Sequence, residues 1–391
     1  MRIALYHPWI YLKSGLERTL FEYRARSRHE VTLYTSRFAP ADTYPELRDS
    51  GVVELPRVSV KRTYLGAISG AARIATTRID PARFDALVVS CDGLGDLLTL
   101  RNRDKPILAL VFTPLRAVFD EVYRERALGR LGPFRPLGLV AEAAFKALDR
   151  ACWRNYDTVV AISDTVRGRI LRGGLRPQGD VGLAYPGIAA ARITGGAKPE
   201  PYFLIAGRIM WTKNIRLGLE AFALAKRDLP GWRLVVAGMV DDKSRAIAEE
   251  LMARGREIGD VEFHTDNTDA QMQALQDRCT ALLFTAFNED WGLTPLEAMA
   301  AGRPVVAVDR GGPRESVQDG VTGFLTPDDP AAFAERMLQL ARDPALAARM
   351  GAAGTERARL FTWDAFVDKL DDAVERMVED RRRRKEGTTN R

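Results

Sequence analysis

Short apolar runs rich in β-branched residues alternate with longer amphipathic stretches along the whole chain. The first half carries Ile3–Tyr6, Val31–Tyr34, Ala86–Val89, Ile107–Phe112 and Thr158–Ile162. The second half repeats the rhythm with Tyr202–Ala206, Arg233–Ala237, Val261–Phe263, Ala281–Phe284 and Val305–Val308. A strand that is apolar at every position needs cover on both faces, which helices on either side of a parallel sheet supply. A chain of 391 residues is also too long for one ordinary core. The pattern predicts an α/β protein of two doubly wound, Rossmann-like domains facing a central cleft at the carboxyl ends of both sheets. Residues 1–190 form the first domain and 202–362 the second. The Gly- and Pro-rich segment 191–201, which lacks periodicity, is the expected linker. Residues 363–391 read as a helix, spaced at Phe366, Leu370, Val374 and Met377, that is able to pack back on the first domain and ends in a basic tail.

With 46% hydrophobic and 28% charged residues, the chain is not disordered, collagen-like or a coiled coil. Cys91, Cys152 and Cys279 lie far apart with no C-x-x-C pair, which argues against a disulfide framework and fits a reducing cytoplasm. The histidines are His7, His29 and His264 alone, and no D-x-D pair occurs, so no metal is expected. The net charge is +6, and Arg381–Lys385 supplies five of the excess positives. That run is either a solvated tail or a patch for anionic lipid. No nucleic-acid signature accompanies it. The amino terminus reads as a first strand rather than a signal peptide. The longest apolar stretch, Ile107–Phe112, is far short of the ~20 residues needed to cross a bilayer. The expected location is cytoplasmic, at most at the inner face of the cytoplasmic membrane.

Two junctions in the second half carry candidate chemistry. The run Tyr202–Ala206 ends in Gly207-Arg208, and Lys213-Asn214 follows just before a helical stretch. Gly207 permits a tight turn, Asn214 suits a helix cap, and the helix start favours an anion. Arg208 can grip phosphate with its planar fork while Lys213 supplies a point charge, although for the pattern alone two surface cations near a loop are the simpler reading. In Phe287–Pro304, Thr294 fits a helix cap, Pro295 the first helical position and Gly302 the stop. Glu289 and Glu297 then flank one helix amino terminus. Thr294-x-x-Glu297 is also a capping box, which would explain Glu297 structurally, and Glu289 in its loop is open to a solvated reading. As binding groups, the two carboxylates would accept hydrogen bonds from sugar and ribose hydroxyls around a helix start that holds phosphate. The paired Gly311-Gly312 before Pro313 reads as a turn or as a close approach to ligand.

On these residues the chain resembles retaining glycosyltransferase family four, the GT-B sugar transferases. Glu289 and Glu297 match the family's Glu-x7-Glu spacing, Gly207-Arg208 and Lys213-Asn214 its diphosphate-binding pair, and Glu297–Val306 and Gly311–Glu315 its helix-to-strand run and Gly-Gly-Pro turn. Ser14-Gly15-Leu16-Glu17-Arg18 looks like its glycine-rich turn. The resemblance implies a hexosyltransferase that uses a GDP- or UDP-linked sugar, retains anomeric configuration and needs no metal or cofactor. It implies that Arg208 and Lys213 stabilise the departing nucleoside diphosphate, that Glu289 contacts the donor sugar and that Glu297 holds ribose. Backbone N–H groups of Trp291, Gly292, Leu293 and Thr294 would help hold phosphate or sugar, and Gly15 would pass close to the donor. The first domain would take a glycan or lipid-linked acceptor of cell-surface polysaccharide synthesis, and its basic and apolar stretch Arg116–Trp153 either rests on lipid headgroups or is an ordinary set of packed helices. One position departs: Phe112 stands before Thr113-Pro114 where many relatives carry histidine. That departure keeps a second reading open, a catalytically silent relative that binds nucleotide or a partner protein. A nicotinamide-dependent oxidoreductase is disfavoured because no strand runs into G-x-G-x-x-G. The sequence gives no oligomeric state.

Overall fold

The computed structural model describes residues 1–58, 64–91, 93–176, 181–195 and 197–389. Gly196 of the expected linker and the last two residues of the tail lie outside the described residues. The chain divides into two compact units, the first comprising Met1–Tyr185 with Trp363–Arg391 and the second Pro186–Thr362. Segment 191–201 belongs to the second unit rather than standing between the two. Its backbone is tied down by bonds from Gly195 N to Ala300 O (3.2 Å), Ala197 N to Asp277 O (3.2 Å) and Glu200 N to Arg278 O (2.8 Å).

The first unit contains β1 (Arg2–His7), β2 (Glu30–Thr35), β3 (Val53–Glu54), β4 (Ala86–Cys91), β5 (Ile107–Val111), β6 (Thr158–Ala161) and β7 (Val181–Leu183). They form one parallel sheet in the order β3-β2-β1-β4-β5-β6-β7. The second unit contains β8 (Tyr202–Ala206), β9 (Arg233–Ala237), β10 (Val261–His264), β11 (Ala281–Phe284), β12 (Val305–Val308) and β13 (Gly323–Thr326). These pair in parallel in the order β10-β9-β8-β11-β12-β13. All ten runs read from the sequence are strands. Those it did not single out, β3, β7 and β13, lie at sheet edges. β3 is two residues long, and β7 and β13 each contain a glycine, so none shows an apolar run.

Strands β4, β5, β8, β11 and β12 are buried at every position, as strands covered on both faces must be. In each sheet one strand marks the reversal of winding. β1 lies between β2 and β4, and β8 lies between β9 and β11. The loops leaving the carboxyl ends at such a reversal splay apart and open a crevice.

The helix Trp363–Thr389 belongs to the first unit, and Asp371 anchors it. This carboxylate is 1% exposed and accepts from Ser27 Oγ (2.8 Å) and Arg28 N (2.9 Å). Around it Arg28 pairs with Asp372 at 2.6 Å and Glu375 at 2.9 Å. The basic run is not a free tail. Arg381 donates to Asp157 and to the carbonyls of Lys105 and Arg103, Arg382 pairs with Glu386, and Arg383 pairs with Glu379.

Two stability predictions follow from the first unit. Asp371→Ala leaves two donors without their acceptor and should cost about 1–3 kcal/mol in denaturant unfolding, whereas Arg28→Ala, at the exposed rim, should change stability little. At the end of β1, buried His7 has Nδ1 3.0 Å from Ser90 Oγ, and desolvation pushes its pKa down to about 4 against a smaller opposing pull from Glu17. An unfolded histidine titrates near 6.5, so between these values only the unfolded chain takes the proton. Stability from neutral His7 should therefore be full above about pH 6.5 and decline as the pH falls toward 4. His7→Gln should flatten that slope in unfolding curves recorded across this window.

Candidate functional site

The crevice of the second unit is built at the reversal between β8 and β11. Gly207, at the end of β8, has φ of 136°, and its carbonyl lies against Gly238 at the end of β9. A Cβ on Gly238 would stand 1.9 Å from Gly207 O, so only glycine lets the two strand ends approach this closely. The chain then makes a 3₁₀ turn over Trp211–Lys213 and enters the helix Ile215–Ala225 through Asn214, which is left-handed at φ 46°. Asn214 was expected to cap that helix. In its left-handed conformation its side chain instead donates to Asp328 at 3.0 Å, and no side-chain cap forms.

Two bonds clamp this turn to the loop after β11. Thr285 Oγ1 donates to Lys213 O at 2.7 Å, and Phe287 N donates to Thr212 O at 3.1 Å. The clamp carries Lys213 Nζ to within 2.6 Å of Glu289 Oε2, with the ammonium 5.7 Å from the centre of the Phe284 ring. Both side chains remain about one-quarter exposed. Arg208 is half-buried and has no ion pair or side-chain hydrogen bond among the described residues. The two cations expected together from sequence therefore differ. The lysine is neutralised by a carboxylate, while the arginine has no counter-ion among the described residues.

Glycines position Glu289 from behind. Gly311, with φ of 69°, would place a Cβ 2.4 Å from Glu289 O, and Gly312 would place one 2.2 Å from Trp291 O. Gly312 N also donates to Glu289 O at 2.8 Å. The Gly-Gly pair, left open above between turn and ligand approach, packs on the backbone of the Glu289 loop.

The helix after that loop runs Leu293–Ala300 and begins earlier than the Thr294-Pro295 grammar suggests. Gly292, at φ 88°, turns the chain, so Leu293 and Thr294 open the first turn and Pro295 sits third, where a missing N–H costs nothing. Thr294 is not a cap, and the capping-box account of Glu297 falls with it. Glu297 Oε2 instead accepts from Gln276 Nε2 at 2.9 Å, and its Oε1 lies 3.7 Å from Arg192 Nη2. Arg192 also donates to Gln273 at 2.7 Å. Gln276 and Arg192 were not found from sequence. The helix Asp269–Arg278 carries only Met272 and Leu275 as large apolar residues, both half-buried, and three glutamines compete for the covered side.

Of the remaining residues, Trp291 is buried, donates from Nε1 to Pro186 O at 2.8 Å and packs on Phe361, so its side chain is a structural anchor. Gly15 is in the other unit, exposed at the start of the helix Gly15–Arg26, where Ser14 accepts from Leu16 N and donates to Glu17. Phe112 is buried just past β5. The next residue, Thr113, accepts from Arg169, which forms a buried ion pair with Asp120 at 2.8 Å. Among the described residues no group of three or more His, Cys, Asp or Glu could hold a metal ion.

Residues 190–357, nearly all of the second unit, match the family model described as Glycosyl transferases group 1, which assigns that segment to the family and bears out the resemblance read from its motifs. The alpha-1,3/1,6-mannosyltransferase ALG2 of Homo sapiens is 36% identical over 178 residues, 42% of this chain and 43% of that protein. The D-inositol 3-phosphate glycosyltransferase of Streptomyces avermitilis is 31% identical over 248 residues, 58% of this chain and 53% of that protein. The chain spans about half the length of the curated relatives it matches. Among solved structures, Anabaena HepE in complex with UDP and glucose superimposes with a TM-score of 0.72 at 17% identity, covering 96% of this chain and 99% of that one. The fold is GT-B, with two parallel-sheet Rossmann-like units.

The Gln276 contact generates a test. Gln276→Leu leaves Glu297 without the donor that fixes one of its oxygens. On the expectation from the resemblance that Glu297 holds ribose, it should weaken binding of a nucleoside diphosphate several-fold, with little change for the 2′,3′-dideoxy analogue, in paired titration calorimetry. Equal losses would show that the residue does not act through Glu297.

Proposed function

We propose that the protein is a glycosyltransferase that moves a hexose from a GDP- or UDP-linked sugar to a glycan or lipid-linked acceptor in cell-surface polysaccharide synthesis. The reaction retains anomeric configuration and is independent of metal. The observation that carries this reading is the crevice after β8 and β11. There an Arg208 guanidinium without an ion pair among the described residues accompanies a Lys213–Glu289 contact held by the Thr285 and Phe287 clamp. The family match of residues 190–357 supports it.

In this reading Arg208 and Lys213 bind the diphosphate. When the bond from the anomeric carbon to the phosphate oxygen breaks, negative charge grows on that oxygen, and fixed cations stabilise it most in a site with little water. The acceptor hydroxyl bonds to the same face of the anomeric carbon, and its proton passes to the departing phosphate oxygen. Glu289 orients the sugar by accepting from its hydroxyls, and Glu297, steadied by Gln276, does the same for ribose. The N–H groups of Leu293 and Thr294, which have no acceptor inside the helix, face the anion. Phe112, standing where the resemblance implies a histidine, motivates the second reading, a silent relative that binds nucleotide without turnover.

Thermal stabilisation by UDP-, GDP- and ADP-sugars should identify the base, because a ligand of the native state raises apparent stability by mass action. With that donor, slow release of nucleoside diphosphate should persist in EDTA and disappear in Glu289→Ala. Arg208→Ala should weaken nucleoside diphosphate binding by about 1.5–3 kcal/mol, the range for bonds to charged groups, with little effect on the nucleoside. Tight binding without release, under all donors, selects the silent reading.

A further inference from the structure

The helix Arg135–Trp153 of the first unit is amphipathic in the wrong sense for a helix packed on a sheet. Its residues buried below the surface are Asp149, Cys152 and Trp153, and Glu142 and Lys146 on the half-buried side pair with each other at 2.6 Å. Leu137, Val140, Ala141, Ala144, Leu148 and Ala151 recur at spacings of three and four, so they form one stripe, and all are exposed. Leu137 is 67% exposed, Val140 66% and Leu148 44%, with Phe134 at 66% in the turn just ahead. Singly exposed apolar side chains are ordinary, but a continuous stripe of them marks an interaction surface.

The charges around the stripe point to what covers it. Between residues 121 and 154 the exposed charged residues are Glu121, Glu125, Arg126, Arg130, Arg135, Arg150 and Arg154, and Glu125 is taken up by Arg135 at 2.8 Å, so arginines are in excess. Asp149 is buried, and Glu142 is half-buried between Lys146 and Arg124. A second copy docked stripe to stripe would set one excess of arginines against another, with Glu125 already paired to Arg135. An anionic bilayer satisfies both features, because its acyl region takes the apolar stripe and its headgroups take the arginines.

We propose that this helix face, with Phe134, docks the protein on an anionic lipid bilayer. The proposal rests on the reading above only in supplying a surface on which a lipid-linked acceptor is met, and its test uses neither donor nor acceptor. The full chain is floated with vesicles of phosphatidylcholine alone and of phosphatidylcholine with phosphatidylglycerol. It should rise with the anionic vesicles and stay behind with the neutral ones. Arg130→Gln and Arg154→Gln, at positions without ion pairs among the described residues, should each weaken vesicle binding about fivefold, equivalent to about 1 kcal/mol per basic residue at the surface. The triple variant Leu137→Ser, Val140→Ser, Leu148→Ser should lose more than about tenfold. Because these side chains are exposed, its unfolding midpoint should not fall. Absence from the anionic vesicles, or binding that the triple variant retains, overturns the proposal, as does a dimer in sedimentation that the triple variant abolishes. Stabilisation by nucleoside diphosphate is read on the same preparations, so a failed flotation is distinguishable from a failed donor site.

Discussion

Strand β8 lies between β9 and β11, and the chain leaves it first toward one edge of the sheet and later toward the other. Loops on neighbouring carboxyl ends that depart in opposite directions do not fill the space between them. The two cations follow one of these strands and Glu289 follows the other. Their meeting is therefore a property of strand order before it is a property of side chains. The Thr285 hydroxyl and the Phe287 amide then convert proximity into register by fixing both loops to one backbone segment.

Close backbone approach is the second device. Gly238, Gly311 and Gly312 each lie where a Cβ would fall within 2.4 Å of a carbonyl oxygen. Replacing any of them would force the loop that carries Arg208 or Glu289 to move, although none of these glycines carries chemistry. Preorganisation of charge in this unit is thus a matter of what the supporting chain omits as much as of which acids and bases it presents.

The strands were legible in the sequence because burial on both faces writes an uninterrupted apolar run, and the ten runs became ten strands. The edge strands β3, β7 and β13 were not legible, since a short or glycine-bearing edge has no such signature. The locations of Arg208, Lys213, Glu289 and Glu297 were legible from their motifs, but their partners were not. Thr294 obeyed the grammar of a cap, yet the positive φ open to Gly292 started the helix first. Gln276 sits beside a stripe of only Met272, Leu275 and Cys279, too short to mark which of the helix's glutamines is buried, and tertiary packing decides it. The stretch Arg116–Trp153 offered two readings with the same composition, and only the placement of its long helix shows which of its apolar side chains stay exposed.

The first unit is discontinuous in the chain, because its closing helix is made after the whole of the second unit. On a ribosome, residues 186–362 are contiguous and have every strand of their sheet available once β13 emerges, whereas Ser27 must wait for Asp371, 344 residues later, with the whole second unit made in between. The nascent residues 1–185 thus keep an uncovered flank while the second unit is made, and a segment synthesised after that unit locks one made before it.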